Sequence, residues 1–238
     1  MIGASLSAVL LNSAWPCDRL HRHATHITVR RVILASSNHI MGGYKDAPTH
    51  GPSSVHPSSA PRVGTVPLDP AQLAASGDAK AYAAAKLAGE RIAMTLAALY
   101  GATTTFVVLR IGWCQPGENL PSTLSAAGAP PEFLLESGEA VAAAVAPEQS
   151  ADERRDELWF KRMWLSNRDF LRYFEAAIRV AVPPEEPPGD EQGGVHRNVR
   201  KGFLLVNAMS KNSDAKWNLD ETEKWMGVVS KDNSLYLG

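Results

Sequence analysis

The sequence predicts an α/β fold: a partial parallel sheet with helices on both faces and a small C-terminal region. Residues 27–35 (ITVRRVILA) and 103–109 (TTTFVVL) are β-branched and carry unbroken apolar runs, the pattern of strands buried on both faces. A long helix-forming stretch lies between them, so the three make a βαβ unit, whose crossover is expected to be right-handed. A chain of 238 residues suits a single domain over 1–238.

Composition narrows the function classes. Hydrophobic residues make up 45% and charged residues 21%, an ordinary globular balance. A net charge of −1 argues against nucleic acid or an anionic membrane as partner. Cys17 and Cys114 are the two cysteines; they form neither a disulfide framework nor a metal cluster, and a reducing, cytoplasmic setting is expected. No apolar run approaches the ~18 residues of a spanning helix. Residues 1–14 have no Lys or Arg ahead of their apolar run, which argues against a secretory leader.

In chain order, residues 4–11 (ASLSAVLL) read as a short helix ended by Trp15-Pro16. His21, His23 and His26 follow and lack a partner cluster of carboxylates or cysteines, so they read as a solvated loop and no metal is expected. The first buried strand, 27–35, delivers Ser36-Ser37-Asn38-His39 at its carboxyl end, where open α/β sheets bind ligands. Residues 45–77 are rich in Pro, Ser, Gly and His and read as an irregular insertion. The helix is expected over 78–100 with Asp78 as N-cap and Gly101 as its stop. The second strand leads into Arg110-Ile111-Gly112-Trp113. Residues 121–151 read as a further insertion, 152–161 as a helix, and 170–181 as a helix capped by Ser166. Residues 183–194 are dense in proline and acid, an exposed loop; 203–206 (FLLV) is a short strand, 219–226 a helix, and 228–238 a polar tail.

The chemistry concentrates in Tyr82-Ala83-Ala84-Ala85-Lys86. Residues four apart share a helix face, so a phenol and an ammonium meet. A neighbouring cation favours the ionised phenol, which suits Tyr82 to general acid/base work.

Ser-Ser after a buried strand, YxxxK on the next helix and Arg-Ile-Gly after the next strand stand in one order. Together they resemble the extended short-chain dehydrogenase/reductase family, the NAD-dependent epimerase/dehydratases, and most closely its uronate dehydrogenase-like branch. The resemblance implies a Rossmann-type, NAD(P)-binding oxidoreductase or epimerase acting on a sugar or sugar-acid hydroxyl. It implies that Tyr82, Lys86 and Ser37 are catalytic, Ser37 being preferred to Ser36 because Asn38-His39 follow it. Tyr82, Lys86 and Ile111 would meet the NAD or NADP cofactor, and Ser37, Asn38, His39 and Trp113 the small sugar-like substrate. A homodimer is a further expectation from the family.

The chain also departs from the pattern. No Gly-x-x-Gly-x-x-Gly turn precedes Ser37, although that turn and its helix receive the pyrophosphate. Residues 1–14 would then match the fourth helix of the family fold, in a chain lacking the first half, and weak or absent cofactor binding is expected. Trp113 replaces a small serine of the uronate branch. Trp159 stands near the place of its carboxylate-binding arginine, with Lys161 and Arg162 as the nearby cations. The alternative function is a non-catalytic remnant of the same fold serving as a binding module.

Overall fold

The computed structural model describes residues 8–11, 29–45, 54–63, 70–115, 117–124, 151–185 and 198–235. Among these residues five strands form one sheet: β1 (Ala8–Leu11), β2 (Arg31–Ser37), β3 (Thr105–Ile111), β4 (Val199–Arg200) and β5 (Phe203–Ala208). Their order is β1-β2-β3-β5-β4. The first four of that order run parallel, and β4 pairs antiparallel with β5. The helices are α1 (Pro70–Tyr100), α2 (Ala151–Arg162), α3 (Asn167–Arg179) and α4 (Asp220–Met226).

Alternation along the strands sorts the core into two layers, because successive side chains point to opposite faces. Ile33, Val107, Leu109, Leu204 and Val206 pack with Tyr173, Phe174, Ala177 and Met226 of α3 and α4. Val32, Leu34, Phe106, Val108, Phe203 and Leu205 pack with Ala93, Leu96 and Ala97 of α1. The sheet is therefore covered on both faces, which explains why β2, β3 and β5 read as continuous apolar runs. This is a partial Rossmann-like α/β fold. A third cluster, with Ile40, Met41, Trp159, Met163 and Trp217, gathers the loops around α2.

Several expectations need correction. Residues 8–11 form a strand, not part of a helix, and pair with Arg31–Leu34 of β2. A four-residue apolar run carries no periodicity that separates the two, and pairing decides. Helix α1 starts at Pro70, so Asp78 lies inside it and is not its N-cap, and 70–77 are not part of an insertion. Proline is well placed at a first helical position, where its missing N–H is not needed. Both central strands end two residues later than expected, at Ser37 and Ile111. β4 carried no signal in the sequence. Residues 12–28, with Cys17, His21, His23 and His26, and residues 46–53, 64–69, 125–150 and 186–197 lie outside the described residues.

The turn after α1 abuts the turn before β5. Gly101 closes the helix through its N–H to the Ala97 carbonyl at 2.7 Å. A Cβ on Gly202, which has φ +68, would stand 2.4 Å from the Gly101 Cα. Neither glycine has room for a side chain.

One polar contact fixes how α1 lies on the sheet. Its buried stripe runs Ala83, Lys86, Glu90, Ala93, Ala97, and within that stripe Glu90 meets Arg110 of β3. Arg110 donates from Nε and Nη2 to the two Glu90 oxygens, both at 2.8 Å. Ser36 adds a third bond to Glu90, Oγ to Oε1 at 2.7 Å, and Arg110 Nη1 donates to the Pro57 carbonyl at 3.1 Å. Arg110 is 2% exposed and Glu90 3%. Removing one partner of such a pair leaves a buried charge unmatched and costs about 3–5 kcal/mol, whereas an apolar replacement of both is far milder. Glu90→Ala is expected to lower stability by about that amount in urea unfolding, and Glu90→Leu with Arg110→Met to recover most of it. A single-variant loss within ~1 kcal/mol, the range of an exposed pair, would contradict this assignment.

Candidate active site

The carboxyl ends of β2 and β3 lie side by side, since Ser37 pairs with Ile111 in parallel register. A cleft of about 420 Å³ opens there, walled by Ser36, Ser37, His39, Tyr82, Ile111, Gly112, Trp113, Cys114 and Phe170.

The two serines differ in what their hydroxyls do. That of Ser36 is buried and donated to Glu90. Ser37 has extended backbone and caps the 3-10 turn Asn38–Tyr44, its Oγ accepting the His39 N–H at 3.2 Å. The same Oγ lies 3.3 Å from His39 Nδ1. The turn swings the imidazole back over the strand end, so His39 faces Tyr82 edge-on with ring centres 5.8 Å apart. Among the described residues, no hydrogen bond joins the Tyr82 hydroxyl to Ser37; the two share the cleft with His39 against both.

Tyr82 is 43% exposed and Lys86, one turn further along α1, is 4% exposed. Lys86 Nζ donates to the Ala35 carbonyl at 2.8 Å and stands 5.3 Å from the centre of the Tyr82 ring, within the range of a cation–π contact. Burial pushes the Lys86 ammonium below its ordinary pKa of 10.5. Of its three N–H donors, this bond uses one.

Asn38 is buried at 1% exposure and donates from Nδ2 to the Arg110 carbonyl at 2.8 Å. It braces β2 against β3 and is not among the cleft walls. Trp113 forms a bridge with Trp164; its ring sits 5.7 Å from His39 and 5.1 Å from Phe160. Gly112 must be glycine for the bridge to close, because a Cβ there would fall 2.1 Å from the Met163 carbonyl oxygen.

The C-terminal region holds α3, and with it Phe170, against the cleft. Asp169 is fully buried and accepts from the Ser210 hydroxyl at 2.7 Å and from the N–H groups of Lys231 and Asp232 at 3.1 Å. Ser166 caps α3 through the Asp169 N–H and donates to Asp232 at 2.6 Å.

Trp159 and its neighbours lie elsewhere. Trp159 packs on Trp217 with ring centres 4.5 Å apart. Lys161 pairs with Glu157 and Arg162 with Asp214, and none of these walls the cleft. Sequence reasoning missed Glu90 and Phe170. Glu90 was signalled by its spacing, eight residues from Tyr82 and four from Lys86 on one helix face. Nothing local in the sequence brings Phe170 to Tyr82. Among the described residues no group of three or more His, Cys, Asp or Glu side chains could hold a metal ion, and no helix is long and apolar enough to cross a membrane.

Comparison with known proteins agrees at the level of fold. No family model and no curated protein matches the chain. A solved structure, a mutated uronate dehydrogenase, is similar over 92% of this chain with 18% identity and a TM-score of 0.50. Uronate dehydrogenase from Agrobacterium tumefaciens is similar over 86% with 20% identity and a TM-score of 0.46. A mutant of that enzyme complexed with NAD is similar over 91% with 20% identity and a TM-score of 0.49. The chain covers 51%, 48% and 52% of those structures, about half their length.

The electrostatics of His39 yield a test. Burial, and to a smaller degree the Lys45 ammonium, lower its pKa below 6.5. An unfolded histidine titrates near ~6.5, so below that pH the unfolded chain binds a proton that the folded chain still refuses. The stability present above pH ~6.5 is therefore lost as pH falls through the folded pKa. The His39 ring resonances should titrate below 6.5 by NMR, and His39→Gln should flatten the fall in unfolding free energy on acidification. A titration midpoint above 6.5 would contradict the burial assigned here.

Proposed function

We propose that the cleft carries NAD(P)-dependent oxidoreductase or epimerase chemistry at a hydroxyl of a sugar-like substrate. The observation that carries this is the meeting of Ser37, His39 and Tyr82 at the carboxyl edge of the sheet, with the Lys86 ammonium set against the Tyr82 ring. Tyr82 would take the proton from the substrate hydroxyl or return it to a carbonyl, and the Ser37 hydroxyl would hold the same oxygen. The uronate dehydrogenase fold of the solved neighbour supports the same class.

The described residues suit the nicotinamide-ribose end of a dinucleotide. The Tyr82 hydroxyl would hold the ribose beside the Ile111 backbone, with Lys86 set behind the Tyr82 ring. No glycine-rich turn among the described residues offers a cradle for the pyrophosphate, the group that anchors dinucleotides most strongly. When bound, the dinucleotide accepts or returns the hydride. This chain's own residues would position the hydroxyl and move its proton. The competing reading is a binding module of the same fold, favoured by the missing bond between Tyr82 and Ser37.

Steady-state assays with NAD and NADP over a panel of sugars and sugar acids separate the two. Tyr82→Phe should reduce turnover by ~10²–10⁴-fold, the usual worth of a positioned acid/base, while the fold persists by circular dichroism. Calorimetric titration should give dissociation constants weaker than micromolar for both cofactors. Turnover unchanged by Tyr82→Phe would overturn the proposal.

A further inference from the structure

The walls of the cleft say what kind of substrate fits. Tyr82, His39, Trp113 and Phe170 supply four aromatic rings, two of them packed against a further ring: Phe160 lies 5.1 Å from Trp113 and Phe174 stacks on Phe170 at 4.4 Å. A ring packed on another is held in place and makes a rigid wall. Ile111 and Gly112 extend the apolar floor, and the hydrogen-bonding groups, Ser37, His39 and the Tyr82 hydroxyl, gather on the β2 and α1 side.

No formal positive charge is among these walls. Lys86 sits behind the Tyr82 ring and donates to the Ala35 carbonyl. Lys161 and Arg162, the cations nearest in sequence to Trp159, are paired with Glu157 and Asp214. Burial favours the neutral imidazole of His39. A carboxylate entering such a cleft would leave water without a charged partner, which is strongly unfavourable.

Resting on the reaction proposed above, we infer that the cleft selects a neutral ring-bearing sugar, whose apolar C–H face lies on Trp113, and rejects the corresponding sugar acid. Trp113 is the specificity-determining residue: its indole supplies the platform and its bulk occupies part of the space that a carboxylate and its water would need.

D-Galactose and D-galacturonate differ only in the oxidation of one terminal carbon and make a matched pair of probes. Binding of each to the whole chain is measured by saturation-transfer NMR, with no cofactor present. Galactose should receive saturation at its ring C–H protons, and galacturonate should bind about tenfold or more weakly. Trp113→Leu, which keeps apolar bulk but removes the ring, should weaken galactose by about tenfold, as expected for loss of a stacking contact, and Trp113→Phe should restore most of it. Thermal melts check that each variant is folded. Galacturonate binding as tightly as galactose to the unaltered chain overturns the inference without any variant, as does failure of galactose to bind. Galactose binding that depends on the Trp113 ring supports it, and does so even where no NAD or NADP is turned over; that second result would count against the proposed reaction alone.

Discussion

The Glu90–Arg110 pair is the contact on which the arrangement of the rest depends. Two opposite charges have been taken from water, and each is almost completely matched: Arg110 bonds to both Glu90 oxygens and to the Pro57 carbonyl, and Glu90 also receives the Ser36 hydroxyl. Four parts of the chain meet there, namely α1, β3, the end of β2 and the 54–63 loop. A bidentate pair tolerates little rotation, so the roll of α1 about its axis is set. Lys86 and Tyr82 lie one and two turns away on the same face, and their direction follows from that roll. Arg110 also reaches the site through its backbone, since its carbonyl accepts from Asn38 at the start of the turn that presents His39.

Much of the fold was legible because burial on two faces leaves a plain mark. The runs at 27–35, 103–109 and 203–206 could be read as strands without knowing their partners, and α1 could be read between two of them. β1 could not, because its strand identity comes from pairing with β2 and not from its own four residues. The start of α1 was misjudged for a related reason. Asp78 is a good cap by type, but Pro70 with the helix formers after it let the helix begin two turns earlier.

The cleft walls supplied by β2, α1 and β3 were legible. Ser37, His39, Tyr82, Ile111 and Trp113 were expected at one ligand edge, and the structure lines one cleft with all five, while Lys86 lies behind Tyr82 and Asn38 braces the strands. Phe170 was hidden. Phe170 reaches the cleft only because the buried Asp169 gathers Ser210, Lys231 and Asp232 around the start of α3, a contact set spanning more than sixty residues of sequence. Local pattern carries no record of such closure.

The central claim is that the cleft between Ser37, Tyr82 and Ile111 is the nicotinamide-ribose end of a dinucleotide site. Saturation-transfer NMR with nicotinamide mononucleotide against adenosine monophosphate tests this most directly, because it separates that end from the pyrophosphate and adenosine. The nicotinamide and its ribose protons should receive saturation from the unaltered chain, with most of it lost in Tyr82→Ala, and adenosine monophosphate should receive little. Equal saturation of the two nucleotides, or nicotinamide contact that survives Tyr82→Ala unchanged, would contradict the account.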